Sequence, residues 1–183
     1  VLKEGETSFS GTTTESFIIQ NSATLCGTGT FGGLIFQSGA TAVPGHSIGT
    51  TNVNGAVTFD AGSTYEVEIN PNGTSDLIEA TGTATINGGS VSVLPEAGLY
   101  AFGATNYTIL SAAGGVTGTF DTHSINQDFA FLTPTLRYDA NNIFLDIDRA
   151  AFSSMAETET KLAWLKFWMA FLAPMLRVLV API

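Results

Sequence analysis

The groups able to do acid–base, nucleophilic or metal chemistry are few and scattered along this chain. His46 and His123 stand far apart, and neither has a second histidine at metal-ligand spacing. Cys26 is the single cysteine, which excludes an internal disulfide and a cysteine-rich metal site. With no His or Lys near it in sequence, it reads as a small strand residue rather than a reactive thiol. Ser47 and Ser63 lack the G-x-S-x-G setting of a nucleophile elbow. Asp60, Asp76, Asp121 and Asp139 each fall at a strand edge or turn, where an aspartate is expected to bond its own backbone. Glu66 and Glu68, like Asp146 and Asp148, alternate along a strand as a solvated face. Between residues 4 and 148 the only basic residue is Arg137. A carbohydrate-active site needs convergent carboxylates, or a basic group beside bound calcium, and neither pattern is present. The glycine-rich runs are not followed by Gly-Lys-Ser/Thr and do not match a calcium-binding nonapeptide repeat. Asn72-Gly73-Thr74 and Asn106-Tyr107-Thr108 are formal glycosylation sequons. The sequence therefore assigns no catalytic, cofactor-binding or metal residue, and the chain is expected not to be an enzyme.

The elements that carry these residues are short strands. The chain has 183 residues, enough for one domain with a substantial core; 12% are charged and 20 are glycine. Low charge with abundant Gly, Thr, Ser and Asn indicates an all-β protein with frequent corners. A net charge of −10 excludes nucleic acid, and attraction to an anionic membrane, as charge-driven partners. The organising stretch is Gly45–Asn70. Within it Tyr65, Val67 and Ile69 alternate with Thr64, Glu66 and Glu68, a half-buried strand with one wet face. Asn54-Gly55 and Asp60-Ala61-Gly62-Ser63 are corners around a short strand over Ala56–Phe59. Further strands are expected at Ser16–Gln20, Ala40–Val43, Ala84–Ile86, Ser90–Leu94, Tyr107–Leu110 and Val116–Phe120. Phe131–Tyr138 and Asn142–Asp148 form a final pair. No strict repeat length emerges, only a loose formula of apolar residue, Gly or Asn-Gly, and Thr-rich strand, which suits a parallel β-helix with a capped end. The expected inward stripe is Val57, Phe59, Tyr65, Val67, Ile69, Leu77, Ile86, Val91, Val93, Ile109, Phe120, Leu136, Ile143 and Leu145.

The ordered series GTGTFGG (Gly27–Gly33), SGATAVPGHSIGT (Ser38–Thr50), VTFDAGSTYEVEI (Val57–Ile69), SDLIEATGTATINGGSVSV (Ser75–Val93), YTILSAAGGVTGTFD (Tyr107–Asp121) and FLTPTLRYDANNIFLDIDR (Phe131–Arg149) resembles the C-terminal end of pertactin-like passengers of bacterial type V autotransporters. The resemblance spans roughly residues 24–160. It implies a right-handed parallel β-helix at the bacterial cell surface, outer membrane or exterior. It also implies an end segment that folds first and templates the coils upstream, its natural partners being those coils and an outer-membrane β-barrel. His46 departs from the family's usual Asn in the P-G-x-S-I-G turn, and Arg137 from a small polar residue. The function expected is the structural, folding end of a passenger. The alternatives are a surface adhesion module and a fragment of a carbohydrate-active β-helix enzyme.

On this reading residues 1–150 form the β-helix with a cap at about 107–148, residues 151–163 a linker, and residues 164–183 an apolar, basic, helical tail. All 16 acidic groups precede Lys161, whereas Lys161, Lys166 and Arg177 follow, together with both tryptophans. Phe167–Leu176 is uncharged but too short to span a bilayer and contains Pro174, so an interfacial helix with membrane contact is one reading. The other is a frameshift near residues 161–163: Trp168-Met169-Ala170, shifted, encodes Asp-Gly, as in a family linker leading into the barrel.

Overall fold

The computed structural model describes residues 1–125, 129 and 131–150. Thr- and Gly-rich segments too short to pair with their immediate neighbours instead pair with the coils above and below. The strands are β1 Gly5–Ser8, β2 Ser16–Ile19, β3 Ala23–Gly27, β4 Thr30–Phe31, β5 Gly33–Phe36, β6 Thr41–Pro44, β7 Thr50–Val53, β8 Val57–Phe59, β9 Thr64–Ile69, β10 Leu77–Ala80, β11 Ala84–Ile86, β12 Ser90–Pro95, β13 Gly103–Ala112, β14 Val116–Gly118, β15 Thr122–Ile125, β16 Leu132–Tyr138 and β17 Asn142–Arg149. They build three sheets, β2-β5-β8-β11-β14, β1-β3-β6-β9-β12-β15 and β4-β7-β10-β13-β17-β16. Pairing is parallel throughout, except that β17 runs antiparallel between β13 and β16. The architecture is a three-sided parallel β-helix closed at one end of one sheet by an antiparallel pair.

The register shows why no repeat length is visible. Glu6, Thr24, Thr41, Thr64, Ser90 and Thr122 stack in one outward column, separated in sequence by 18, 17, 23, 26 and 32 residues. The added length goes first into the corners and, in the last coil, into β13, which has 10 residues where β10 has 4. One corner stays constant. The Gly82 N–H donates to the Gly55 carbonyl at 2.9 Å, and the Gly114 N–H to the Gly82 carbonyl at 2.9 Å. A Cβ at Gly82 would lie 2.6 Å from the Gly55 carbonyl carbon. Backbone stacks on backbone there, with no room for a side chain.

Inside, side chains of successive coils stack on one another. Phe36 lies over Phe59 at 4.9 Å between ring centroids and 14° between planes, and Phe120 meets Phe59 edge-on at 5.2 Å. Buried tyrosine hydroxyls donate to backbone carbonyls: Tyr65 to Ile109 (2.5 Å), Tyr100 to Ile69 (3.0 Å) and Tyr107 to Asn70 (2.8 Å). Of the expected stripe, Val57, Phe59, Tyr65, Val67, Ile69, Ile86, Val91, Val93, Ile109, Phe120, Ile143 and Leu145 are buried. Leu77 is a correction. It is only half-buried, and Ile78 and Ala80 point inward in its place. Two adjacent apolar residues satisfy period 2 in either phase. The phase here is fixed by Asp76, which is wholly buried just before the strand. Leu136 is half-buried against the core, because β16 is the sheet's outermost strand. β4, β7 and β15 are strands that the periodicity did not isolate. Among the described residues no helix is long and apolar enough to cross a membrane. The linker at 151–163, the tail at 164–183 and the frameshift reading lie outside the described residues.

Candidate functional site

One cluster of reactive side chains forms on the outer face of the sheet headed by β1. Alternation on β1 sends Glu6 and Ser8 outward, and the register sets Glu6 beside Thr24 and Ser8 beside Cys26. Cys26 in turn sits beside Val43 on β6. At Gly45 the chain turns with φ +92°, and the Gly27 N–H donates to the Gly45 carbonyl at 3.2 Å. That turn brings His46 back over the thiol. Ser8 Oγ and His46 Nε2 are 2.6 Å apart, and the Cys26 thiol donates to Glu6 Oε1 at 3.4 Å and to the Thr7 carbonyl at 3.5 Å. One ligand atom each from Glu6, Cys26 and His46 lies within 4.8 Å of the others. Cys26 is buried, while Glu6 and His46 are exposed. Glu66 and Glu68, outward on β9, line the same open cleft of about 360 Å³.

The electrostatics of this face are one-sided. Burial raises the Cys26 pKa, and the Glu6 carboxylate that accepts from the thiol raises it further. Glu66 is raised by desolvation and then by the charge of Glu68. Arg137, the sole basic residue between 4 and 148, is engaged elsewhere, 3.1 Å from Asp146 and 4.2 Å over the Phe144 ring. The face therefore favours a positively charged guest, and its donor set combines a soft thiol, an imidazole and a carboxylate.

Residues widely separated in sequence meet here because solenoid coils superpose them. His46 does sit in a turn, as its neighbours Gly45 and Ser47 indicate. His123 lies on β15 beside Val91 and joins no such cluster among the described residues. The signal that would have found the site is the coil register, invisible until the coil lengths are known. The aspartates also differ from expectation. Asp139 bonds locally, accepting from the N–H groups of Asn141 (2.8 Å) and Asn142 (2.6 Å). Asp121 instead accepts from Gly89 of the preceding coil (3.0 Å), and Asp60 from the Asn87 amide (3.2 Å). Asp76, fully buried, accepts from Gly49 (2.8 Å) and Glu68 (2.9 Å), and burial lifts its pKa to about 7. These three carboxylates tie coils together. Ser63 is likewise structural, its hydroxyl donating to the Asp60 carbonyl at 2.7 Å.

No family model matches the chain. Two curated relatives, both named extracellular serine protease and both from Serratia marcescens, are 37% identical over 172 residues and 34% identical over 171 residues. The matches cover 88% and 86% of this chain but 16% of each relative, so the chain spans about one sixth of their length. These relatives correct the expectation that the chain is not an enzyme. A search for convergent catalytic groups within a segment matching 16% of a protease does not exclude catalysis by the polypeptide it represents.

Proposed function

We propose that this chain is the stem of a secreted serine protease: a parallel β-helix segment of an autotransporter passenger, near the point where the passenger meets its outer-membrane barrel. The observation that carries the reading is the 37% identity, over 88% of this chain, to a protein named an extracellular serine protease. The same relatives support a secreted or surface-exposed setting. Within the stem, β13, β17 and β16 act as the unit that folds first and templates the remaining coils. Two features support that role. These three strands include the longest among the described residues, and their antiparallel pairing blocks further parallel stacking at that edge of the sheet. At the opposite end β1 is the outermost strand of its sheet, and Leu2 and Thr12 bridge in parallel to the outer edges of β2 and β4, so the parent's other coils stack beyond this layer.

The test is a chimera in which this chain replaces the matched segment of the Serratia marcescens protein. Serine-protease activity is expected in the medium, and a Val67→Asp chimera is expected to lose it together with secretion. A chimera that folds and reaches the surface yet yields no secreted activity would overturn the stem reading. The templating role is read separately, by hydrogen exchange. Amides of β13, β16 and β17 are expected to exchange more slowly than those of residues 1–40, and the reverse order refutes it.

A further inference from the structure

We infer that Glu6, Cys26 and His46 form a three-ligand site for a zinc(II)-class cation, which staples three successive coils of the β-helix on its outer face. The ligands come from β1, from β3 and from the turn after β6, so one ion cross-links three coils that backbone hydrogen bonds and the Cys26–Glu6 and Ser8–His46 contacts already bring together. Zinc takes thiolate, imidazole and carboxylate donors at tetrahedral corners. Bond lengths of about 2.3 Å to sulfur and 2.0 Å to oxygen set the S···O edge of such a tetrahedron at roughly 3.5 Å. The Cys26 Sγ–Glu6 Oε1 separation is 3.4 Å, so that edge is already formed. The third donor, a ring nitrogen of His46, lies within 4.8 Å of the other two. His46 Nε2 is engaged with Ser8 Oγ at 2.6 Å. With the proton on Nε2 donated to that hydroxyl, Nδ1 carries the lone pair for the ion, and Ser8 becomes the orienting partner that metal-bound histidines ordinarily have.

The surroundings fit a dication. Binding releases the thiol proton and converts the thiol beside a carboxylate into a thiolate and carboxylate sharing two positive charges. Glu66 and Glu68 in the same cleft add attraction beyond the ligands themselves. The fourth position faces the open side of the cleft, where water completes the tetrahedron. A thiolate in the set favours zinc over magnesium or calcium, which take oxygen donors.

The experiment is titration of the metal-free full chain with Zn²⁺, and separately with Co²⁺ as a spectroscopic probe. One Zn²⁺ per chain is expected, with a rise in melting temperature and a cobalt–thiolate charge-transfer band. Cys26→Ser and His46→Asn should each weaken binding about 100-fold, Glu6→Gln about tenfold, and Ser8→Ala by about tenfold through the lost orientation of the ring. His123→Asn should change nothing. Unchanged Zn²⁺ affinity in Cys26→Ser, or loss in His123→Asn, would overturn the assignment. Should a variant misfold, the unmodified chain still decides: Co²⁺ binding without a thiolate band, or no Zn²⁺ uptake, overturns it. The chimera that tests the protease stem does not depend on this ion, so the two proposals fail separately.

Discussion

Asp76 gives the protein a pH dependence of definite sign. Its carboxylate is fully buried between coils and accepts one backbone N–H on each oxygen, from Gly49 and from Glu68. Those two bonds favour the anion. Burial and the nearby charges of Glu68 and Glu66 oppose it, and burial dominates, lifting the pKa to about 7. The unfolded chain releases this proton near the ordinary value of about 3.9. Between the two values the folded state holds a proton that the unfolded state lacks, so stability is greatest at the acid end. It then falls as pH rises, by about 1.4 kcal/mol per pH unit, until the folded group also ionises. From about pH 5, chosen to stay above the isoelectric point near 4.3, to about pH 8, the loss from this one group is about 2–3 kcal/mol. Asp76→Asn replaces the neutral acid by a group of the same shape that also turns one hydrogen-bearing atom toward a backbone N–H. The variant should therefore match the unmodified protein near pH 5 and exceed it by that amount near pH 8, as titrations not coupled to Asp76 cancel in the difference. Urea unfolding followed by circular dichroism at each pH measures it, with equal m values as the check on comparability. Parallel pH profiles, or a wild-type protein that gains on Asp76→Asn as pH rises, would show that the two N–H bonds outweigh burial and refute the reasoning.

Other positions give simpler expectations. Val67→Asp puts an unpaired carboxylate where no solvent reaches and should abolish the cooperative melt; an unchanged melting curve would mean the inward face is misassigned. Gly82→Ala forces a methyl against the Gly55 backbone and should cost at least about 2 kcal/mol, whereas Gly73→Ala, which meets nothing within 4 Å but has φ +89°, should cost about 1 kcal/mol; chemical denaturation compares the two. Tyr65→Phe removes the hydroxyl that serves the buried Ile109 carbonyl and should cost about 1–3 kcal/mol with no change in far-ultraviolet circular dichroism. Phe59→Ala opens a hole in the Phe36–Phe59–Phe120 stack and should cost about 3–5 kcal/mol, so equality with a surface control such as Thr83→Ala would contradict the packing.

What the sequence reveals about this molecule divides along a physical line. Strands with strict alternation are legible because one wet face and one dry face are a local property. Thr64–Ile69 and Ala84–Ile86 have the expected bounds, and the final antiparallel pair is joined by a turn of its own. Two-residue β4 is not legible, since its strand character comes from pairing with β7 rather than from its own pattern. Leu77 fails for a related reason: its neighbour Ile78 is equally apolar, and a buried carboxylate chooses between them.

The candidate site is harder still, because nothing local announces it. Glu6, Cys26 and His46 are each unremarkable among their neighbours, as the reading of Cys26 as a small strand residue shows. A solenoid converts sequence distance into adjacency through its coil length, and here that length grows from 17 to 32 residues along the stack. The paired strands stay in register whatever the coil length, so an outward side chain keeps its neighbours above and below. Chemistry on such a fold is thus written across coils. Asp76, Asp121 and Asp60 obey the same rule, reaching another coil's backbone or side chain where a turn aspartate would reach its own. A residue's role on this fold follows from its column and the columns beside it: Cys26 shares a column with Ser8 and Val43, and reaches Glu6 in the next column and His46 in the turn after β6.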